Sequence, residues 1–360
     1  MRFFTDWHHG GLGRSLVLLF GDRLRHKVFA PGNDLCEIAN AVIPGTWLPP
    51  NVAGNGGVPD ECLNGVGEVH TVTKEQFMDT EWDAVIISRP ESVPTFKMLL
   101  SQHPKGDKIR RIGQAGNENQ IYDWGWIPNF LSSDYLSYLR APRDINKIHY
   151  MQESGRQFQP ERFTPLTYDS LKVVNTFINC LASFGDWNWN RDLPYWHDKC
   201  PHCEERTDST GPHSNTINLW NELKNNLPDR RFMDYGINNS QGMISERELP
   251  QKILDGALTW GYKTYDGYGH SIAQSISMGR LCLVPRRFHK YRTASQFLIP
   301  NLTCLEADWS GQNCIEIIRW FTDSLERANI YSEACFNAAK GIFNWSKEAF
   351  RVGEFLSQLR

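Results

Sequence analysis

Lys263-Thr264-Tyr265-Asp266-Gly267-Tyr268-Gly269-His270-Ser271-Ile272-Ala273-Gln274-Ser275-Ile276-Ser277-Met278-Gly279-Arg280-Leu281-Cys282-Leu283-Val284-Pro285 decides how this chain is read. The stretch divides into a glycine-rich loop, a short helix and a buried strand. Ile272, Ala273, Ile276 and Met278 recur at intervals that place them near one helical face. Gly279 stands where such a helix ends, and Leu281 to Val284 is an apolar run with the length of a strand in a parallel sheet. Glycines ahead of a helix let the backbone pass close to a ligand, and the first amides of the helix point toward it. Phosphate suits that place, because unpaired donors and the positive end of the helix dipole act together.

These residues resemble the donor-binding signature of GT-B glycosyltransferases, in the retaining branch of the glycosyltransferase family 4 type. That branch has an acidic residue, a Gly-aromatic-Gly turn, and a second acid eight positions after the first. Asp266 stands at the first acidic position and Gly267-Tyr268-Gly269 follows it, whereas Gln274 replaces the second acid. The resemblance implies a catalytic role for Asp266, holding hydroxyls of the transferred sugar, and a ribose contact for Gln274. It implies donor-binding roles for Gly267, Tyr268, Gly269, His270 and Ser271. In the family a basic side chain neutralises the donor diphosphate. Lys263 is the candidate here, although it lies off the usual basic position. The other reading is an ordinary turn and packed helix in an unrelated α/β protein.

The N-terminus carries a related pattern. Arg2 to Thr5 reads as a strand, Asp6 to Phe20 as a glycine-rich loop entering an apolar helix, and His26 to Ala30 as the next strand. This is a βαβ opening. His8-His9-Gly10-Gly11-Leu12-Gly13 resembles the Gly-Gly-Leu loop that faces the cleft in GT-B enzymes and touches donor or acceptor. On that resemblance Gly11 and Gly13 are donor-binding candidates, and His8 and His9 catalytic ones. Otherwise the histidines are polar loop residues without chemistry.

Apolar runs at Trp82 to Ser88, Ile109 to Ile112, Phe130 to Ser133 and Lys147 to Tyr150 read as strands that alternate with helices. Polar residues just past strand ends sit where open α/β sheets bind ligands, which makes Asn117, Asn119, Ser132, Asp134 and Glu153 cleft candidates. Ile43 to Gly67 is rich in Pro, Gly and Asn and reads as a surface excursion. Gln152 to Thr167 carries Pro160 and Pro165 and reads as a connection between domains. A second sheet begins at Leu171 to Asn179, with a helix at 213–227, a strand at 231–237 and a helix at 249–260 before the opening stretch. Arg286 to Arg292 is the densest basic cluster, placed to meet phosphates or to be solvated. Leu302 to Glu306 is a last strand, and the tail is helical over 314–325, 331–339 and 347–359.

The bulk numbers narrow the class. A chain of 360 residues with 40% apolar content can fill two cores. A formal net charge of −3 gives no global basic field, so a nucleic-acid partner would need a local patch. The 13 Trp are a mild pointer to sugar or base stacking. No apolar segment follows the first residues and no run reaches the ~18 residues of a membrane span. Nine cysteines, mostly in apolar segments, fit reduced thiols in a cytoplasmic protein. Cys200 and Cys203 have metal-ligand spacing, with His197 or His213 to complete a zinc site. A single such pair equally fits an exposed loop of free thiols, and no metal ligand is assigned.

The expected fold is α/β and of GT-B type: two Rossmann-like domains facing across a cleft, with a C-terminal helix crossing back. Residues 1–160 would form the acceptor side, 161–340 the nucleotide-sugar donor side, and 341–360 the returning helix. The implied activity is transfer of a sugar from a nucleotide-sugar to a hydroxyl of a saccharide or glycan, with retention. A modified DNA base is a second acceptor, disfavoured by the overall acidity. No metal or other cofactor is expected. An inverting reaction needs a protein base, for which Asp6, His8 and His9 are candidates. A nucleotide-sugar binding module, or an epimerase of the same architecture, are the alternatives.

Overall fold

The computed structural model describes residues 1–7, 13, 15–44, 47, 70–116, 122–151, 159–178, 181, 212–236, 239–245, 247–262, 269–286, 293–308 and 310–360. The first half builds a seven-stranded sheet from β1 (Arg2–Thr5), β2 (Lys27–Pro31), β3 (His70–Val72), β4 (Ala84–Ile87), β5 (Arg110–Ala115), β6 (Asn129–Ser132) and β7 (Asn146–His149). The order is β3-β2-β1-β4-β5-β6-β7 and every pairing is parallel. Helices α1 (Asn33–Val42), α2 (Lys74–Asp79), α3 (Val93–Gln102) and α4 (Tyr135–Arg140) lie in the crossovers. Parallel sheets covered on both faces have apolar residues on both. Phe3 and Phe4 accordingly point into different cores, one with Phe20 and Ile86, the other with Trp47, Phe77 and Phe96.

The second sheet contains β8 (Val173–Thr176), β9 (Arg231–Asp234), β10 (Leu258–Trp260), β11 (Leu281–Pro285) and β12 (Cys304–Ala307). Its order is β12-β11-β10-β8-β9, again with parallel pairing throughout. Around it run α5 (Pro212–Asn226), α6 (Leu249–Asp255), α7 (His270–Ser277), α8 (Gly311–Thr322) and α9 (Leu325–Ile342). The β-strands and most of these helices share one core, which includes Trp220, Trp260, Ile272, Leu283 and Phe321.

The last helix, α10 (Trp345–Ser357), crosses back to the first sheet. Asn344 caps it by accepting from the Lys347 amide. Trp345, Ala349, Val352, Phe355 and Leu356 recur at helical spacing and enter the core that holds Phe3, Leu16 and Phe20. Each of the larger side chains stabilises that docking by roughly 1.5–3 kcal/mol. Polar contacts fix the register: the Met151 amide donates to Glu348 at 3.1 Å, Arg351 donates to the His149 carbonyl at 2.9 Å, and the Arg360 amide donates to Asn129 at 3.0 Å.

Most apolar runs fall where the sequence places them, with one correction of consequence. The helix expected over 249–260 stops at Asp255, and Leu258–Trp260 is the middle strand of the second sheet. Gly256 is extended (φ −104, ψ 155), and a methyl group there would lie 2.3 Å from Asn175 Nδ2. That contact with β8 requires a glycine, and the extended backbone at this residue is where the helix stops. Helix α1 and edge strand β3 are additions to the sequence reading. Among the described residues, no helix is long and apolar enough to cross a membrane.

Candidate functional site

In an open parallel sheet, the crevice at the carboxyl ends opens where the strand order reverses, because neighbouring crossovers leave on opposite faces. The first sheet reverses between β1 and β4. The residues just past those ends are Asp6 and Ser88, and they bond each other: the Ser88 amide donates to both Asp6 carboxylate oxygens, at 2.9 and 3.1 Å. A chain of contacts continues along the strand ends. The Ser88 hydroxyl donates to Gln114 Oε1 at 3.3 Å, and Gln114 Nε2 donates to the Tyr150 hydroxyl at 2.8 Å. Asp6 has no exposed surface. Burial raises its pKa, and the bonds from Ser92, Ser88 and the Arg89 amide act in the opposite direction. Asp6 therefore serves as the buried anchor of this crevice floor, and its carboxylate does not open to solvent as a base for an acceptor would.

The second sheet reverses between β8 and β10. Past β10 the chain turns through Gly261 and Tyr262 toward α7. Gly269 is the N-cap of α7 and is left-handed (φ 69, ψ 63), a conformation that favours glycine. The first intrahelical bond runs from the Ala273 amide to the Gly269 carbonyl at 3.0 Å, so the amides of His270, Ser271 and Ile272 precede the helical ladder. The helix is held from below: Ser275 Oγ lies 2.8 Å from Thr259 Oγ1 of β10, and Ile272 and Ile276 are buried. Its other end closes at Gly279 (φ 75), where a methyl group would lie 2.9 Å from the Ser332 carbonyl oxygen. Arg280 follows, buried, with no carboxylate partner among the described residues and donating to the carbonyls of Gly256, Thr164 and Leu254. Burial lowers its pKa to about 10. The start of α7 is thus a fixed set of donors and a positive dipole end, at the carboxyl side of β10 and beside the switch point.

Comparison with solved structures gives this arrangement a context. Anabaena HepE, solved with UDP-glucose, superposes over 99% of this chain and 99% of its own, with a TM-score of 0.59 and 10% identity. A glycosyltransferase from Rickettsia africae matches 99% of this chain and 98% of its own at 0.58 and 13% identity. An α-glucosyltransferase solved with UDP-glucose and DNA matches the same shares at 0.55 and 8% identity. The fold is that of GT-B glycosyltransferases. No protein-family model matches the chain, and no curated protein matches it.

Within the GT-B frame, Gly269, His270, Ser271 and Gln274 come together at the head of α7. His270 and Gln274 are four apart and partly exposed, so they share a helix face. Asp266, Lys263, Gly267 and Tyr268 lie outside the described residues, as do His8, His9 and Gly11. Gly13 is described and is buried against Trp7: a methyl group there would lie 2.8 Å from the indole. That contact requires a glycine there. Ser132 and Asp134, read as cleft candidates, serve the turn into α4: Ser132 Oγ donates to the Asp134 carbonyl, and Asp134 accepts from the Ser137 amide at 2.6 Å. Asn117, Asn119 and Glu153 fall outside the described residues, as do His197, Cys200 and Cys203. Among the described residues no group of three or more His, Cys, Asp and Glu side chains gathers to hold a metal.

Two features of the crevice were not singled out in the sequence. One is the Asp6–Ser88–Gln114–Tyr150 chain, which joins residues far apart along the polypeptide. The other is the pair Phe177 and Tyr235, just past β8 and β9, whose rings stack at 5.5 Å and 16°. An aromatic residue directly after each apolar run was the available signal.

Proposed function

We propose that this protein transfers a sugar from a nucleotide-sugar to an acceptor hydroxyl. The observation that carries this function is left-handed Gly269 heading α7 at the carboxyl side of β10, next to the switch point of the second sheet. Support comes from the neighbours in fold: HepE holds UDP-glucose, and so does the α-glucosyltransferase. Nothing specific favours the binding-module or epimerase alternative. Residues 161–340 take the donor, residues 1–160 the acceptor, and residues 341–360 tie the tail to the acceptor side.

The chemistry follows from the donors at the head of α7. Negative charge grows on the diphosphate as the glycosidic bond breaks, and the amides of residues 270–272 already point toward it. Lys263 adds a positive charge, Gln274 bonds the ribose, and Asp266 orients the sugar. Gly267 and Tyr268, with Gly11 of the facing loop, shape the donor pocket, and His8 and His9 stand on the acceptor side. The reaction belongs to the retaining, family 4 type, in which the leaving phosphate takes the acceptor's proton. No metal is required, and the protein acts in the cytoplasm. The acceptor is a glycan hydroxyl; a modified DNA base is the second choice, supported by the α-glucosyltransferase solved with DNA containing an HMU base.

Thermal shift against a panel of UDP-, GDP- and ADP-sugars tests the donor assignment. A bound donor stabilises the folded state by about 2.7 kcal/mol at one hundred times its Kd. A rise in Tm with one nucleotide class is expected, with UDP-sugars first. A panel that leaves Tm unmoved at millimolar concentration contradicts it.

A further inference from the structure

The strand starts of the first sheet, at the end opposite the crevice, open onto a cavity of about 530 Å³. Arg2 begins β1 and Lys27 begins β2, while Arg25 stands in the turn before β2; Lys105 and Lys108 precede β5. Five basic side chains therefore line one hollow of a chain whose formal net charge is −3. The acids beside them are Glu81 and Asp83. Glu81 is paired with Lys105, and Asp83 accepts from the Arg2 backbone amide at 2.7 Å. Arg2, Arg25, Lys27 and Lys108 are exposed, and no ion pair engages their side chains among the described residues.

Two further observations show that the hollow has a fixed rim and floor. Arg25 has φ 56, a left-handed conformation that L side chains rarely adopt, and its amide is tied back to the Gly21 carbonyl at 3.1 Å. The preceding helix ends through this left-handed residue, which sets the Arg25 side chain at the rim. Trp82 lies beneath the hollow and is buried: its ring stacks on Phe77 at 5.6 Å, and its Nε1 donates to the Phe77 carbonyl at 2.8 Å, which holds the floor in place. The volume lies within the range of small-ligand sites.

We propose that this cavity binds a small polyphosphorylated ligand of about nucleotide size, at a site separate from the carboxyl-end crevice. The ligand's phosphates would sit among Arg2, Arg25, Lys27 and Lys108.

Isothermal titration of the full chain with inorganic tripolyphosphate tests this, run with and without saturating UDP. The comparison variant is Lys27→Glu with Lys108→Glu. Both positions are exposed, so the fold should hold, which an unchanged melting curve verifies. The expected result is binding that persists with UDP present, weakens with rising salt, and falls tenfold or more in the double variant. Absence of binding to the parent chain overturns the proposal, as does equal binding by parent and variant. Duplex DNA that binds in a Lys27- and Lys108-dependent way, without displacement by tripolyphosphate, also overturns it, since the patch would then be a polymer surface. Sugar transfer is not part of the readout, so failure here and failure of the transferase function are distinguishable.

Discussion

Gly269→Ala places the most direct strain on the head of α7. The backbone there has φ +69, and a methyl group would meet Ile272 Cδ1 at 3.3 Å. A left-handed non-glycine residue costs roughly 1–2 kcal/mol. The Ile272 contact adds little, because the atom met is the end of a side chain that can shift. For a domain of this size each kcal/mol lowers Tm by about 2–4 °C, so a drop of roughly 2–8 °C is expected. If the alanine relaxes toward an ordinary conformation instead, the first amides of α7 turn away from the ligand. A displacement of about 1 Å in a positioning element can lower kcat/KM by ~100-fold. Gly341→Ala is the matched control: Gly341 lies in α9 with nothing within 4 Å of an added methyl group. Ordinary helix propensity predicts a gain of about 0.5–1 kcal/mol there, with turnover unchanged. Differential scanning fluorimetry and steady-state release of nucleotide diphosphate read both effects. A Gly269→Ala protein with the parent's Tm and turnover refutes the role assigned to this turn.

His149 tests how the two halves are joined, and Arg280 how the second half is held together. Burial, and then the nearby Arg351 guanidinium, lower the His149 pKa from 6.5 to about 4. The unfolded chain therefore takes up this proton at a higher pH than the folded one. Stability is full above pH 6.5 and falls as pH drops toward 4, by about 3 kcal/mol in total. Denaturant midpoints measured across that window should show this slope, and His149→Asn should flatten it; an unchanged slope in the variant places the effect elsewhere. Arg280→Met removes three bonds to carbonyl oxygens and leaves those acceptors buried, so a loss of roughly 2–4 kcal/mol is expected in denaturant unfolding. A loss below about 0.5 kcal/mol would mean that water replaces the guanidinium.

Much of the fold was legible because all-parallel sheets covered on both faces leave continuous apolar runs. Ala84 to Ile87 and Leu281 to Val284 are of this kind, and both are entirely buried. The helical face of Ile272, Ala273 and Ile276 and the stop at Gly279 were also visible, since both are local properties. What the sequence concealed depends on distant contacts. Position 256 must be glycine because Asn175 of β8 occupies the space a side chain would need, and nothing near Gly256 announces it. Asp6 meets Ser88 across 82 positions, which changes an apparent loop acid into a buried anchor. The close approach of Gly13 to the Trp7 indole was likewise not visible in the sequence. The link between the halves is similarly remote: the Gln296 amide nitrogen lies 2.7 Å from His149 Nδ1, 147 positions away.

Titration of UDP-glucose and its relatives into parent and Asp266→Ala protein, with released UDP and glycosylated product both followed, tests the transferase function most directly. Donor-dependent turnover by the parent, and its loss in a variant that melts at the parent temperature, is the predicted outcome. A parent that binds no nucleotide-sugar, or an Asp266→Ala protein that turns over at the parent rate, contradicts it.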